Sequence, residues 1–335
     1  MIWLAWRQHR LQALVGALGL GLLALFLIVT HVGIANTFTS TGLQSCLSAP
    51  GGDCGPIAEV FDREYHGFQI LAALFLVIPL FVGLFWGAPL IARELEQGTY
   101  RLVWTQSVTR RRWFSTKIAL IAGGSLIGAA AFAAIVTWWT GLFIRADDNR
   151  FSPGIFDIRG IVPVAYTLFA LALGVFFGTL VRRTLPAMAA TLGSFIGARV
   201  LMTLFARTHY MAAKTVSAPL SVQGGGFKFG YEDPAGAWIL KQVTLDRAGA
   251  IAGPGGGFDL NFLNARCPGL IPHAGALPTQ AKLASCVREV GLHFITTYQP
   301  ATRYWAFQGI ESAIYLALAT ILIAASMWLV RHRLA

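Results

Sequence analysis

Charge is what this chain has least of. Only 12% of its 335 residues are Asp, Glu, Lys or Arg, where a soluble domain carries about 25%. That shortage excludes a solvated surface around the whole molecule. Lysine is nearly missing, with 5 against 21 arginines. No G-x-x-x-x-G-K-[ST] stretch occurs, so the chain by itself does not cradle ATP in the P-loop manner. Gly224-Gly225-Gly226-Phe227-Lys228 is glycine-rich but wrongly spaced. Neither H-E-x-x-H nor C-x-x-C is present, and no metal-ligand pattern is indicated. The seven histidines (His9, His31, His66, His209, His273, His293, His332) are dispersed and read as surface or interfacial side chains. No internal repeat is visible. These absences argue against an enzyme and indicate no cofactor in this chain.

What is abundant is apolar sequence, 56% of all residues. It falls in six runs, each long enough for the roughly 20 helical residues that cross a bilayer: Leu11–Thr30, Gly67–Ile91, Ile118–Ile144, Gly160–Val181, Thr184–Ala206 and Tyr304–Val330. The first has an apolar core longer than the roughly 7–15 residues of a signal peptide and no clear small-x-small site after it, so it reads as an uncleaved span. The formal net charge of +11 does not point to nucleic acid, because the basic residues sit in short clusters at the ends of the runs. Arg7 and Arg10, the loop after the second run, Arg182-Arg183, and Arg331 with Arg333 all fall on one side if six spans alternate. By the positive-inside rule that side is the cytosol. The expected fold class is an all-α integral membrane protein with six transmembrane helices, both termini cytosolic, and a large extracellular segment between spans five and six.

The expected organisation is an N-terminal interfacial helix over residues 1–10, spans one and two with an outer loop over 11–92, and a cytosolic loop over 93–117. Spans three to five follow over 118–206, an extracellular segment over 207–303, and span six with a cytosolic tail over 304–335. Trp3 and Trp6 beside Arg7 and Arg10 suit either a helix lying in the membrane interface or a simple extension of span one. Cys46, Cys54, Cys267 and Cys286 all fall on the predicted outside, where disulfides persist. Local pairing, Cys46–Cys54 and Cys267–Cys286, is the expectation, with four free thiols the alternative. The short apolar pieces Ala237–Leu240 and Val290–Ile295 are candidates to re-enter the membrane edge.

The stretch 93–117, RELEQGTYRLVWTQSVTRRRWFSTK, carries six basic residues against Glu94 and Glu96. Gly98 breaks what precedes it, and Thr99 is placed to cap a new helix. Tyr100, Val103, Trp104 and Ser107 fall at helical spacing. Thr109 is placed to cap span three, whose first turn then holds Arg110, Arg111 and Arg112 against the helix dipole. An ordinary basic loop explains those arginines. It does not explain a tryptophan on a short amphipathic helix, which suits an interface anchor.

In this stretch the chain resembles the ABC-2 type (type V) permeases of bacterial ATP-binding-cassette transporters. Their pattern after span two is acidic residues, Gly-Thr, an apolar stretch, then Ser, a basic residue and Lys. Here it reads Glu94 and Glu96, Gly98-Thr99, Leu102–Trp104, Ser107, Arg110 and Lys117, with Gln106 where many members have Pro. The resemblance implies that Glu94, Glu96, Gly98, Thr99, Tyr100, Val103, Trp104, Ser107 and Arg110 couple to a separate ATP-binding subunit. ATP and Mg would be bound there and not here. It further implies two permease copies forming the pathway.

Two ionisable residues lie inside spans, Arg199 and Glu311. Each is costly there unless paired, about 2.5–3.5 kcal/mol for Arg at a span centre. With Arg207 and Arg303 as the outer helix ends, both sit roughly 12 Å deep, which permits a salt bridge between spans five and six. A polar element of the substrate path or gate, or an arginine reaching to the interface, are the other readings. Trp138-Trp139, Tyr304 and Trp305 read as an aromatic belt.

The expected function is therefore the membrane permease of an ATP-driven exporter in the bacterial plasma membrane. It would move an amphipathic or hydrophobic substrate, with membrane lipids as its surroundings. The alternative is a non-transporting sensor or scaffold that signals from the extracellular segment.

Overall fold

The computed structural model describes residues 2–49, 54–99, 109–147, 150–223, 228–230, 236–257, 259–271 and 278–332. It forms two compact units. One comprises Met1–Asp148, Ser152–Tyr210 and Trp305–Ala335, and the other Asn149–Phe151 with Met211–Tyr304.

Among the described residues, six helices are long and apolar enough to cross a membrane: His9–Ser40, Phe75–Glu96, Arg110–Ala146, Val162–Val181, Thr184–His209 and Ala301–His332. They are numbered here as spans one to six. Helix one runs unbroken from Ile2 to Ser40, so residues 2–10 are continuous with span one. Its extension past Thr30 is held by packing. Ile34 and Phe38 are buried there in a core with Phe61, Phe132, Trp139 and Phe143. Much of the stretch between the first two apolar runs is helical as well, including Leu43–Ser48 and Gly55–Leu74. Trp139 is not part of an interfacial belt. It is fully buried, and its indole N–H donates to Thr30 Oγ1 at 3.0 Å, while its neighbour Trp138 stays half exposed.

Span two is irregular because its sequence cannot sustain regular helix. A 3-10 turn at Phe75–Val77 precedes Pro79, and a π turn occupies Gly83–Gly87. Proline lacks the backbone donor that a regular turn needs, and π turns tend to occur where another element sets the geometry. Here span four sets it. Gly83 and Gly87 face Gly174 and Gly178 at such close range that a Cβ on Gly174 would meet Gly83 O at 2.3 Å and Ala88 N at 2.6 Å. Two small-xxx-small pairs thus cross backbone to backbone, which is how helices pack where no hydrophobic force separates side chain from lipid. Spans four and five join through Arg182, whose φ of 59° lies in the left-handed region.

The second unit is not helical throughout. Strands β1 (Lys214–Pro219), β2 (Ser221–Gln223), β3 (Lys228–Gly230), β4 (Trp238–Leu245) and β5 (His293–Gln299) form an antiparallel sheet in the order β1-β5-β4 and a separate β2-β3 hairpin. The pieces expected to re-enter the membrane instead contribute to β4, β5 and the helix Gln280–Val290. Leu220, Ala252, Leu263, Leu283, Val287 and Leu292 make its core. Both disulfides have formed with the expected pairing: Cys267–Cys286 ties the helix Leu260–Arg266 to Gln280–Val290, and Cys46–Cys54 closes the turn after helix one.

One acid there is held by two partners within the unit. Asp246 Oδ1 accepts from the Ala250 N–H at 2.8 Å, and Oδ2 receives Arg266 Nη1 at 2.6 Å. The Ala250 N–H, with Arg266 in support, holds the carboxyl below its ordinary 3.8. A depressed folded pKa means the contribution is complete above the unfolded value and disappears as pH falls through the folded one. Hydrogen exchange across 238–257 should therefore accelerate below about pH 4. Asp246→Asn should flatten that pH dependence, and an unchanged pH profile in the variant would refute the assignment.

Candidate functional site

The segment entering the loop after span two is tied down at several points. Glu94 Oε1 accepts from Lys117 Nζ of span three, and both side chains are largely buried. Lys117 also lies over the Trp113 ring, 5.2 Å from its centroid. Trp113 itself belongs to a buried apolar core with Leu90, Ile91, Phe114, Val175 and Val330. Glu96 reaches a different span. Its Oε2 accepts from the backbone N–H of Thr184 at 3.1 Å and from Thr184 Oγ1 at 2.8 Å.

Gly98 has φ of 70°, the left-handed conformation that ends a helix and favours glycine. Thr99 Oγ1 turns back to the Glu94 carbonyl at 3.5 Å. Tyr100, Val103, Trp104 and Ser107 lie outside the described residues. On the far side of the loop, Thr109 caps span three by accepting from the Arg112 N–H at 3.3 Å, and Arg110 Nη1 donates to the Arg331 carbonyl at 3.4 Å. The described flanks of the loop are thus joined to spans three, five and six.

The second polar centre lies at the other end of spans four to six. Arg199 Nη1 is 3.3 Å from Glu311 Oε1, but Glu311 has a stronger partner. Arg207 meets it in a fork, Nε to Oε2 at 2.9 Å and Nη2 to Oε1 at 2.8 Å. The expectation that Arg207 marks the outer end of span five is therefore corrected. The π turn Met202–Ala206 and the 3-10 turn Arg207–His209 continue the helix and turn Arg207 inward, where it is 1% exposed.

Asp157, on the short helix Pro153–Ile158, is the second acid. Its Oδ2 receives Arg199 Nη2 at 2.7 Å and its Oδ1 receives Arg207 Nη2. Tyr166 donates to Glu311, and Tyr210 donates to Glu311 Oε2 at 3.2 Å. Two cations and two anions balance. Beside them Gln308 of span six accepts from the Ile161 and Val162 N–H groups, each at 3.1 Å, and so caps span four from outside. Asp157, Tyr166, Arg207, Tyr210 and Gln308 escaped the sequence reading. The available signal was charge balance, since counting Arg207 inside the bilayer demands a second acid. Among the described residues no group of three His, Cys, Asp or Glu side chains is placed to hold a metal ion.

A family model described as ABC-2 membrane transporter related matches residues 17–207. The chain belongs to the ABC-2 membrane transporter related family. It is a multi-pass membrane component of a transporter class. The matched region runs from span one through Arg207, and so includes the loop flanks, Arg199 and Asp157. Span six, with Glu311, lies beyond it. No curated protein and no solved structure matches this ABC-2 chain.

Proposed function

We propose that this ABC-2 chain is the permease subunit of an ATP-driven exporter in the bacterial plasma membrane. A homodimer forms the pathway, and a separate ATPase docks on each loop at 93–109. The observation that carries this reading is the family match over residues 17–207, which spans that loop. The anchoring of its flanks supports it. The entrance of the loop is tied to spans three and five through Glu94–Lys117 and Glu96–Thr184. The basic residues of the loop, Arg182-Arg183 and the tail support a cytosolic assignment for this face. The ATPase supplies ATP and Mg binding, and the cargo is amphipathic or hydrophobic.

Trp104 is the proposed anchor for the ATPase. Interface tryptophans commonly contribute about 2 kcal/mol or more, roughly thirty-fold in affinity. Trp104→Ala should lower co-purification of the ATPase by about that factor while membrane insertion stays unchanged. The test is ATPase turnover of the reconstituted complex with and without the permease. Turnover independent of the permease would refute the exporter reading.

A further inference from the structure

Span five begins without a cap of its own. Arg183 precedes it in extended conformation, φ −129° and ψ 131°, and makes no side-chain cap. A helix start leaves backbone N–H groups unpaired, and a local Ser, Thr, Asp or Asn usually meets them. Here the acceptor comes from 88 residues earlier in the chain, as Glu96 Oε2 receives both the Thr184 N–H and its hydroxyl. Glu96 is the last residue of the helix Ala88–Glu96, two positions before the left-handed turn at Gly98. The loop entrance and the start of span five are therefore joined through one carboxylate, which is exposed.

From Thr184 the helix is regular to Leu201, with no proline after Pro186 and no irregular turn before Met202. Its far part bears Arg199 and Arg207, both held by Asp157 and Glu311. Span five is thus a continuous helical segment held near each end by charged side chains from other elements. Glu94 makes the equivalent tie to span three, but through a largely buried pair.

We infer that Glu96 is a positioning residue that makes span five follow the loop, so that displacement of the loop reaches the buried charge cluster along this helix. The inference rests on the exporter reading above. Its content is that the bond is a link between elements and not simply a cap. Capping alone would be replaceable from within span five, whereas a link would not.

The two roles separate in a double variant. Arg183→Asp supplies a local cap at the N-cap position of span five but no tie to span two. The readout is the spin-label distance between Leu185→Cys labels of the two copies in the ATPase-bound complex. It is measured nucleotide-free and trapped with ATP and vanadate. Leu185 is 79% exposed at the start of span five, and all four native cysteines are in disulfides.

The label-only protein should show a nucleotide-dependent shift. Glu96→Ala should lose more than half of it, and Glu96→Gln, which keeps an acceptor oxygen, should retain it. Glu96→Ala with Arg183→Asp should regain thermal stability yet still lack the shift. Recovery of the shift by Arg183→Asp, or a full shift in Glu96→Ala, would overturn the inference and leave the exporter reading standing. No shift in the label-only protein, or no bound ATPase, would overturn the exporter reading and this inference with it.

Discussion

Arg207→Ala should be among the most damaging single substitutions in the chain, and more damaging than Arg199→Ala. Arg207 is 1% exposed and its guanidinium meets both acids, with the bidentate grip on Glu311 at 2.8 and 2.9 Å. Removing it leaves Asp157 and Glu311 sharing Arg199 alone, one negative charge in excess in a buried site. Breaking such a pair from one side costs about 3–5 kcal/mol, a large part of the stability of most folds. Arg199 keeps some solvent access, and its loss leaves Glu311 with Arg207.

Balanced removal should behave differently. Arg199→Met together with Asp157→Asn takes away one charge of each sign and should be tolerated better than either change alone, since well-packed neutral replacements are often harmless where half-broken pairs are not. The measurement is the melting temperature of the detergent-solubilised protein for the two singles, the double, and Arg207→Ala. A melting temperature for Arg207→Ala equal to that of the parent would show that the cluster is not desolvated and would sink this account.

The crossing of spans two and four carries the other large effect. Gly174→Leu should abolish folded protein, and Gly174→Ala should already lower its yield. A Cβ there meets Gly83 O at 2.3 Å and the Ala88 nitrogen at 2.6 Å, both backbone atoms that cannot swing aside. The helices must separate, and every contact along the crossing weakens with them. Overpacking a tight site costs about 1–3 kcal/mol, and in lipid the close packing is itself the force that holds helices together. Gly128→Ala on span three is the control, because nothing lies within 4 Å of a Cβ there. It should be neutral or slightly stabilising, since alanine is the better helix former by about 1 kcal/mol. Equal yields for Gly174→Ala and Gly128→Ala would refute the crossing.

How legible these features were depends on their range. Six spans could be read because a bilayer imposes a length and a polarity on each segment alone. Thr109 as a cap and Gly98 as a helix end could be read because both act within one turn. The local cysteine pairing could be read because the separations are 8 and 19 residues. Trp139 could not, because an interfacial and a buried tryptophan look identical until Thr30, 109 residues away, is seen to accept its N–H. The sheet of the second unit was hidden in the same way. Its strands are short, and β1 pairs with β5 across most of the segment between spans five and six.

Residue type and local order were enough to read a multi-pass membrane chain with six apolar runs of spanning length, a basic stretch after the second run, and an arginine and a glutamate within the fifth and sixth. Only three-dimensional packing decided that Arg207, and not Arg199, is the principal partner of Glu311, that Asp157 completes the charge balance, and that Glu96 and Gln308 cap helices to which they do not belong. The physical reason is that membrane insertion and helix caps are governed by a residue's immediate neighbours. Charge pairing and backbone contact at low dielectric are governed by whatever the fold brings within about 3 Å.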